Sequence, residues 1–121
     1  GDAKTIENLL AKSDFPNLTY LGITDSEIQD ELTQVVLESK YMSQINTLDL
    51  SNGTLTDKGG TLLLEKIPQY PNIKKVDLHY HYLSDEMMKK LKQLPIVIDL
   101  SEQEDVEVWD GEIWMNAMLT E

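Results

Sequence analysis

Apolar side chains recur along this chain in a pattern that repeats itself. The stretches "LTYLGITDSEI" (18–28), "INTLDLSNGTL" (45–55) and "IKKVDLHYHYL" (73–83) each carry apolar residues at relative positions 1, 4, 6 and 11. These are Leu18, Leu21, Ile23 and Ile28; Ile45, Leu48, Leu50 and Leu55; and Ile73, Val76, Leu78 and Leu83. A shorter fourth copy, "IVIDLS" (96–101), aligns Ile98 and Leu100. Alternation around positions 4 and 6 is the signature of a short strand with one buried face. A period of about 28 residues marks a repeat architecture, in which each unit buries its apolar face against its neighbours.

The second half of each unit has helical spacing. "SEIQDELTQVVLES" places Ile28, Leu32, Val35 and Val36 on one face, with Ser26 or Asp25 as N-cap candidates. "TDKGGTLLLEKI" starts a helix at Thr56 carrying Leu63, Leu64 and Ile67, and "SDEMMKKLKQL" starts one at Ser84 carrying Met87, Met88, Leu91 and Leu94. Pro68, Pro71 and Pro95 follow the predicted helices, where a chain must stop coiling. At helical spacing the Met and Leu stripes read as core rather than as a cofactor box. The unit is strand, turn, helix and return loop, and strands joined through helices run parallel.

The stretches "IPQYPNIKKVDL" and "INTLDLSNGTLTDKGG" resemble leucine-rich repeats of the ribonuclease-inhibitor type. "FPNLTYLGITDSEI" and "VDLHYHYLSDEMMKKLKQL" are similar to the C-terminal repeats of a bacterial cytoplasmic leucine-rich repeat family without an assigned activity. The resemblance covers roughly residues 5–103. It implies an α/β fold: a right-handed β/α superhelix of about three to four units, with parallel strands on the concave side and helices on the convex side. The turn position usually held by Asn is Ser26, Gly53 and His81 in this chain. The helix-start glycine survives only as Gly59, with Leu32 and Met87 in its place elsewhere.

Composition narrows the partners. The 121 residues are enough for a single domain: an N-terminal helix or cap (1–17), the repeats (18–103) and a C-terminal hairpin (104–121). Ten Lys and Arg against 22 Asp and Glu give a net charge of −12, which repels phosphate backbones and argues against nucleic acid. A partner drawn by that field is a protein with basic surface. There is no cysteine, so disulfides, thiolate chemistry and Cys-based zinc sites are excluded. The apolar runs "TLLLE" and "LPIVIDL" are far too short to span a membrane. The N-terminus lacks the basic and apolar regions of a signal peptide, which fits a cytoplasmic location.

Both histidines lie in "DLHYHYLSD" (77–85). On a continuous strand two residues at i and i+2 share a face and would suit a metal. The repeat register predicts otherwise. His79 follows the inward Leu78 and faces out; His81 occupies the turn position that faces in. His81 is expected to bond turn backbone in place of the usual Asn.

The strand residues between the ladder leucines are expected on the concave face: Tyr20, Gly22 and Thr24; Thr47, Asp49 and Ser51; Lys75, Asp77 and His79; Val97, Asp99 and Ser101. One column reads Gly22, Asp49, Asp77, Asp99. This is either a solvated polar face or an acidic strip for Lys and Arg groups of a partner. A metal-dependent enzyme built on Asp77, His79 and Asp99 is a third reading.

Both ends of a solenoid need covering. "VEVWDGEIWM" (106–115) predicts a β-hairpin about an Asp110-Gly111 turn. Pairing Val108 with Ile113 gathers Val106, Val108, Ile113 and Met115 on one face to cap the last repeat, with Trp109 and Trp114 on the other. A helix near Thr5 to Lys12 reads as the helical half of a preceding unit, hence either a cap or part of a longer solenoid.

No phosphate loop, nucleophile elbow, HExxH or Cys–His pair is present. The expectation is a non-enzymatic protein-interaction module without cofactor or metal. Its candidate contacts are Tyr20, Thr47, Asp49, Ser51, Lys75, Asp77, His79 and Asp99 on the strand face, and Trp109 and Trp114 on the hairpin. The alternatives are an acidic inhibitor or immunity-like protein masking a basic enzyme, and a piece of a longer leucine-rich repeat protein.

Overall fold

The alternation of strand and helix read from the sequence is present in the fold. A computed structural model describes residues 2–104 and the backbone of two further strands at 106–109 and 112–115. The elements are α1 (Ala3–Lys12), β1 (Tyr20–Gly22), α2 (Gln29–Leu37), β2 (Thr47–Asp49), α3 (Asp57–Lys66), β3 (Lys75–Asp77), α4 (Asp85–Leu91), β4 (Val97–Asp99), β5 (Val106–Trp109) and β6 (Glu112–Met115).

Strands β1 to β4 form one parallel sheet in sequence order. Leu21, Leu48, Val76 and Ile98 stand side by side in it, flanked by the rows Tyr20-Thr47-Lys75-Val97 and Gly22-Asp49-Asp77-Asp99. This is the register predicted from the repeat. The pairing continues past the strand ends, with Ile23 N–H donating to Asp49 C=O, Leu50 to Asp77 and Leu78 to Asp99. At position 8 of every unit the backbone turns left-handed: Asp25, Asn52, Tyr80 and Glu102 have φ of 60, 59, 58 and 62°. Asp and Asn tolerate this conformation well, whereas Tyr80 and Glu102 hold it against their intrinsic preference. The shared turn extends the fourth copy to Gln103, which bridges His81 in parallel.

The helix starts are tied from unit to unit by aspartates at one repeat position. Asp30 Oδ1 accepts from Thr56 N–H (2.8 Å) and Gly59 N–H (3.1 Å). Asp57 accepts from Ser84 N–H (2.8 Å) and Ser84 Oγ (2.7 Å), and Asp85 from Gln103 Nε2 (2.9 Å). Each acid thus lies at the positive N-terminus of the next helix or at the turn that replaces it. Thr56 and Ser84 cap α3 and α4 as expected, accepting from Lys58 and Met87 N–H.

Helix α2 departs from expectation. It starts at Gln29, and its N-cap Ile28 has no side-chain cap bond. Ser26 spends its Oγ on Ile28 N–H (3.0 Å), a turn bond, and the left-handed Asp25 cannot lead into the helix.

The core runs between sheet and helices. Ile45, Leu48, Leu50, Leu55, Ile73, Val76, Leu78 and Leu83 are all buried, whereas Leu18, Leu21, Ile23 and Ile28 of the first unit are half-buried. Helix α1, capped by Asp2, contributes Leu10 to the core. Its exit is held by buried Tyr41, whose hydroxyl lies 2.6 Å from Ser13 Oγ and accepts from Phe15 N–H.

Strands β5 and β6 pair antiparallel, with Val106 opposite Met115 and Val108 opposite Ile113, the register expected of the hairpin. The Asp110-Gly111 turn and the side chains of both strands lie outside the described residues. So does the expected packing of this hairpin over the last repeat. No helix among the described residues is long and apolar enough to cross a membrane.

Candidate functional site

The open face of the sheet carries the expected residues in the expected rows, but their chemistry differs from a plain acidic strip. Each aspartate at a strand end folds back on its own chain. Asp49 Oδ1 accepts from Ser51 N–H (3.0 Å), Asp77 Oδ1 from His79 N–H (3.1 Å) and Asp99 Oδ1 from Ser101 N–H (3.0 Å). These are Asx turns, in which a short carboxylate satisfies the backbone N–H two residues on as the strand ends. The signal was legible as D-x-S, D-x-H and D-x-S at 49–51, 77–79 and 99–101, and the strip reading passed over it.

The cap leaves each carboxylate a second role. Asp49 Oδ2 accepts the Tyr20 hydroxyl. That bond, reinforced by burial, pushes the Tyr20 pKa up to about 12. The Tyr20 ring lies across Gly22, where a Cβ would meet its edge at 2.9 Å. Glycine in the acidic column leaves room for the ring in this position. Asp77 Oδ1 also bonds His79 Nδ1 at 2.6 Å, and this bond raises the His79 pKa above its ordinary value. Asp99 Oδ1 also accepts from Ser101 Oγ (2.7 Å), and the two Ser101 bonds hold its carboxyl below the usual range. Asp77 Oδ2 and Asp99 Oδ2 have no partner among the described residues.

Asp77, His79 and Asp99 offer one ligand atom each within 4.8 Å of one another. His79 Nδ1 is bonded to Asp77, and Oδ1 of each aspartate to backbone.

Around this strip stand Tyr20, 51% exposed, and Val97, 62% exposed, with Thr47 and Lys75 between them in the same row. One candidate is corrected. Ser51 was expected to face a partner, but it is 2% exposed. Its carbonyl accepts from Asp25 N–H, and the next residue donates to His79 C=O. Its backbone is thus tied to the turns of both flanking units. The side chains of Trp109 and Trp114 lie outside the described residues.

The histidines diverge as the register predicted. His81 is 0% exposed; its Nε2–H donates to Leu100 C=O (2.9 Å) and its Nδ1 accepts from Leu83 N–H (3.0 Å). Those two bonds define one neutral tautomer, and burial lowers the pKa.

Against this geometry, the solved structures that are similar include two of note. A crystal structure of a protein from Bacteroides fragilis matches with a TM-score of 0.80 and 42% identity, covering 87% of this chain and 30% of that one. The C-terminal domain of tropomodulin from Caenorhabditis elegans matches with a TM-score of 0.56 and 20% identity, over 75% of this chain and 55% of that one. The chain thus spans about a third of the first and about half of the second. No protein-family model matches, and no curated protein does. The fold is leucine-rich-repeat-like, a parallel sheet alternating with helices.

Proposed function

We propose that the chain is a protein-binding module whose contact surface is the open strand face, and that it is not an enzyme. Folds of this class generally serve binding. The observation that carries the reading is the pair of unshared oxygens, Asp77 Oδ2 and Asp99 Oδ2, on carboxylates oriented by their own backbone caps. Preorganised acceptors lose little side-chain entropy when a Lys or Arg group arrives. Exposed Tyr20 and Val97 flank them and supply apolar area at either side. The net charge of −12 favours approach of a basic protein.

The capping bonds dictate how this is tested. Charge reversal at Asp49 or Asp77 would remove a cap as well as a charge. Asn keeps the accepting Oδ1 and removes the charge. Affinity capture from native lysate is compared for the wild type and for Asp49→Asn/Asp77→Asn/Asp99→Asn, in low and high salt. A partner released by salt and absent from the Asn variant is expected. A partner retained equally by both proteins would place the contact elsewhere.

A further inference from the structure

We infer that the N-terminal edge of the sheet is a docking face for the strand and turn of a preceding unit, placed parallel to β1 and covalently continuous with α1, which is that unit's helix. The inference rests on an amide that recurs one residue before each ladder start: Asn17, Gln44 and Asn72. Gln44 Nε2 donates to Phe15 C=O (2.8 Å) and Leu18 C=O (3.0 Å). Asn72 Nδ2 donates to Met42 C=O (2.8 Å) and Ile45 C=O (2.7 Å). Both amides reach back to the first ladder residue of the preceding unit and to the residue three before it. Each therefore clasps two carbonyls where the preceding chain enters its strand. Asn17 stands at the same place in the first unit, exposed, with no hydrogen-bond partner among the described residues.

The backbone repeats the same asymmetry. Asn46 and Thr47 N–H donate to Thr19 C=O, and Lys74 and Lys75 N–H to Asn46 C=O. The equivalent N–H groups of the first unit belong to Thr19 and Tyr20, on the free edge of β1.

Packing completes the correspondence. Helix α1 lies against α2 as α2 lies against α3, so it holds the place of the helix of a preceding unit whose strand and turn would lie beside β1. A groove of about 530 Å³ opens there, lined by Asp2, Ile6, Ile23, Ile28 and Leu32 among others. The matching surface of the second unit is filled by the first: a Cβ on Gly53 would lie 2.8 Å from Ser26 O and Gln29 Oε1. An exposed parallel edge with a spare two-carbonyl clasp continues an interface that the molecule already builds twice. A second copy related by a two-fold axis would bring β1 antiparallel and leave the clasp unmatched.

The test compares this chain with the complete product of its gene, each with Asn17, Asn17→Ala and Asn17→Gln, by amide hydrogen exchange and thermal melting. In the complete product the Thr19 and Tyr20 amides are expected to be protected. Asn17→Ala should lower Tm by about 2 °C or more, and Asn17→Gln, the residue doing this work at position 44, should restore it. In the 121-residue chain the same amides should exchange quickly and both variants should melt like the parent. Unprotected Thr19 and Tyr20 amides in the complete product, or an Asn17→Ala change silent in both contexts, would overturn the inference. Protection that appears in the short chain only as concentration and apparent mass rise would assign the edge to a second copy, which also overturns it. None of these outcomes bears on binding by Asp77 and Asp99.

Discussion

The first repeat and the two that follow it share one apolar pattern and reach different degrees of burial. Leu48 and Val76 have neighbours on both sides and are shut off from water, whereas Leu21, at the same register, is half-buried. Leu21 and Leu48 are the same residue in the same strand position, so the difference comes from the number of flanking units. In a solenoid the stability of a unit is mostly the sum of the interfaces it makes, and the first unit has one fewer among the described residues.

The comparison is sharpened most by truncating matched ladder leucines. Leu48→Ala should cost about 2–5 kcal/mol, and Leu21→Ala about 1 kcal/mol, because a half-buried site loses less transfer energy and leaves a wetter cavity. Denaturant unfolding of the two variants measures this. Equal losses would mean that the first unit is as well covered as the second.

The turn position gives the next contrast. His81→Ala removes partners from Leu83 N–H and Leu100 C=O, both buried, and should cost about 2–4 kcal/mol. Ser26→Ala removes one bond, to Ile28 N–H at a half-exposed turn, and should cost about 1 kcal/mol or less. His81→Asn should fall between them, because an amide offers both a donor and an acceptor.

Two glycines make a smaller test of the same idea. Gly53→Ala drives a methyl against the Ser26 carbonyl, a backbone atom that cannot yield, and should cost about 1–3 kcal/mol. Gly22→Ala meets only the outer edge of the exposed Tyr20 ring, which can swing away, and should stay within about 0.5 kcal/mol.

The smallest effects are expected from pH, and they have opposite signs. The His79 pKa is raised in the fold by Asp77, so its stabilisation is complete below the ordinary 6.5 and is lost as pH rises through the raised value. The His81 pKa is lowered by burial, so its contribution is present above 6.5 and declines as pH falls through the lowered value. Thermal melts across about pH 5 to 9 should show His79→Gln flattening the alkaline side and His81→Asn the acid side.

Parts of this were legible in the order of residues. The inward row Leu21, Leu48, Val76 and Ile98 and the column Gly22, Asp49, Asp77 and Asp99 follow from a period-2 strand inside a repeat of about 28 residues, and the observed register is that one. The caps Thr56 and Ser84 were legible because a hydroxyl before a helical stripe has few other uses. The opposite fates of His79 and His81 followed from position alone. The start of α2 was misplaced because Ser26 had two local partners available and its own turn won. Ser51 was misread because an alternation rule does not register that its backbone enters a turn bonded to the turns of both neighbouring units.

The sequence alone determined the repeat, the parallel sheet, its register and which strand residues face away from the helices. Those are consequences of periodicity, and periodicity is written in one dimension. Only the tertiary structure decided that Asp30, Asp57 and Asp85 hold the helix start or turn of the next unit. It also decided that Asn17, unlike Gln44 and Asn72, reaches no carbonyl among the described residues. Asp30, Asp57, Gln44 and Asn72 are defined by what they meet in the neighbouring unit, which lies about 28 residues away along the chain and one strand spacing, about 4.8 Å, away in space.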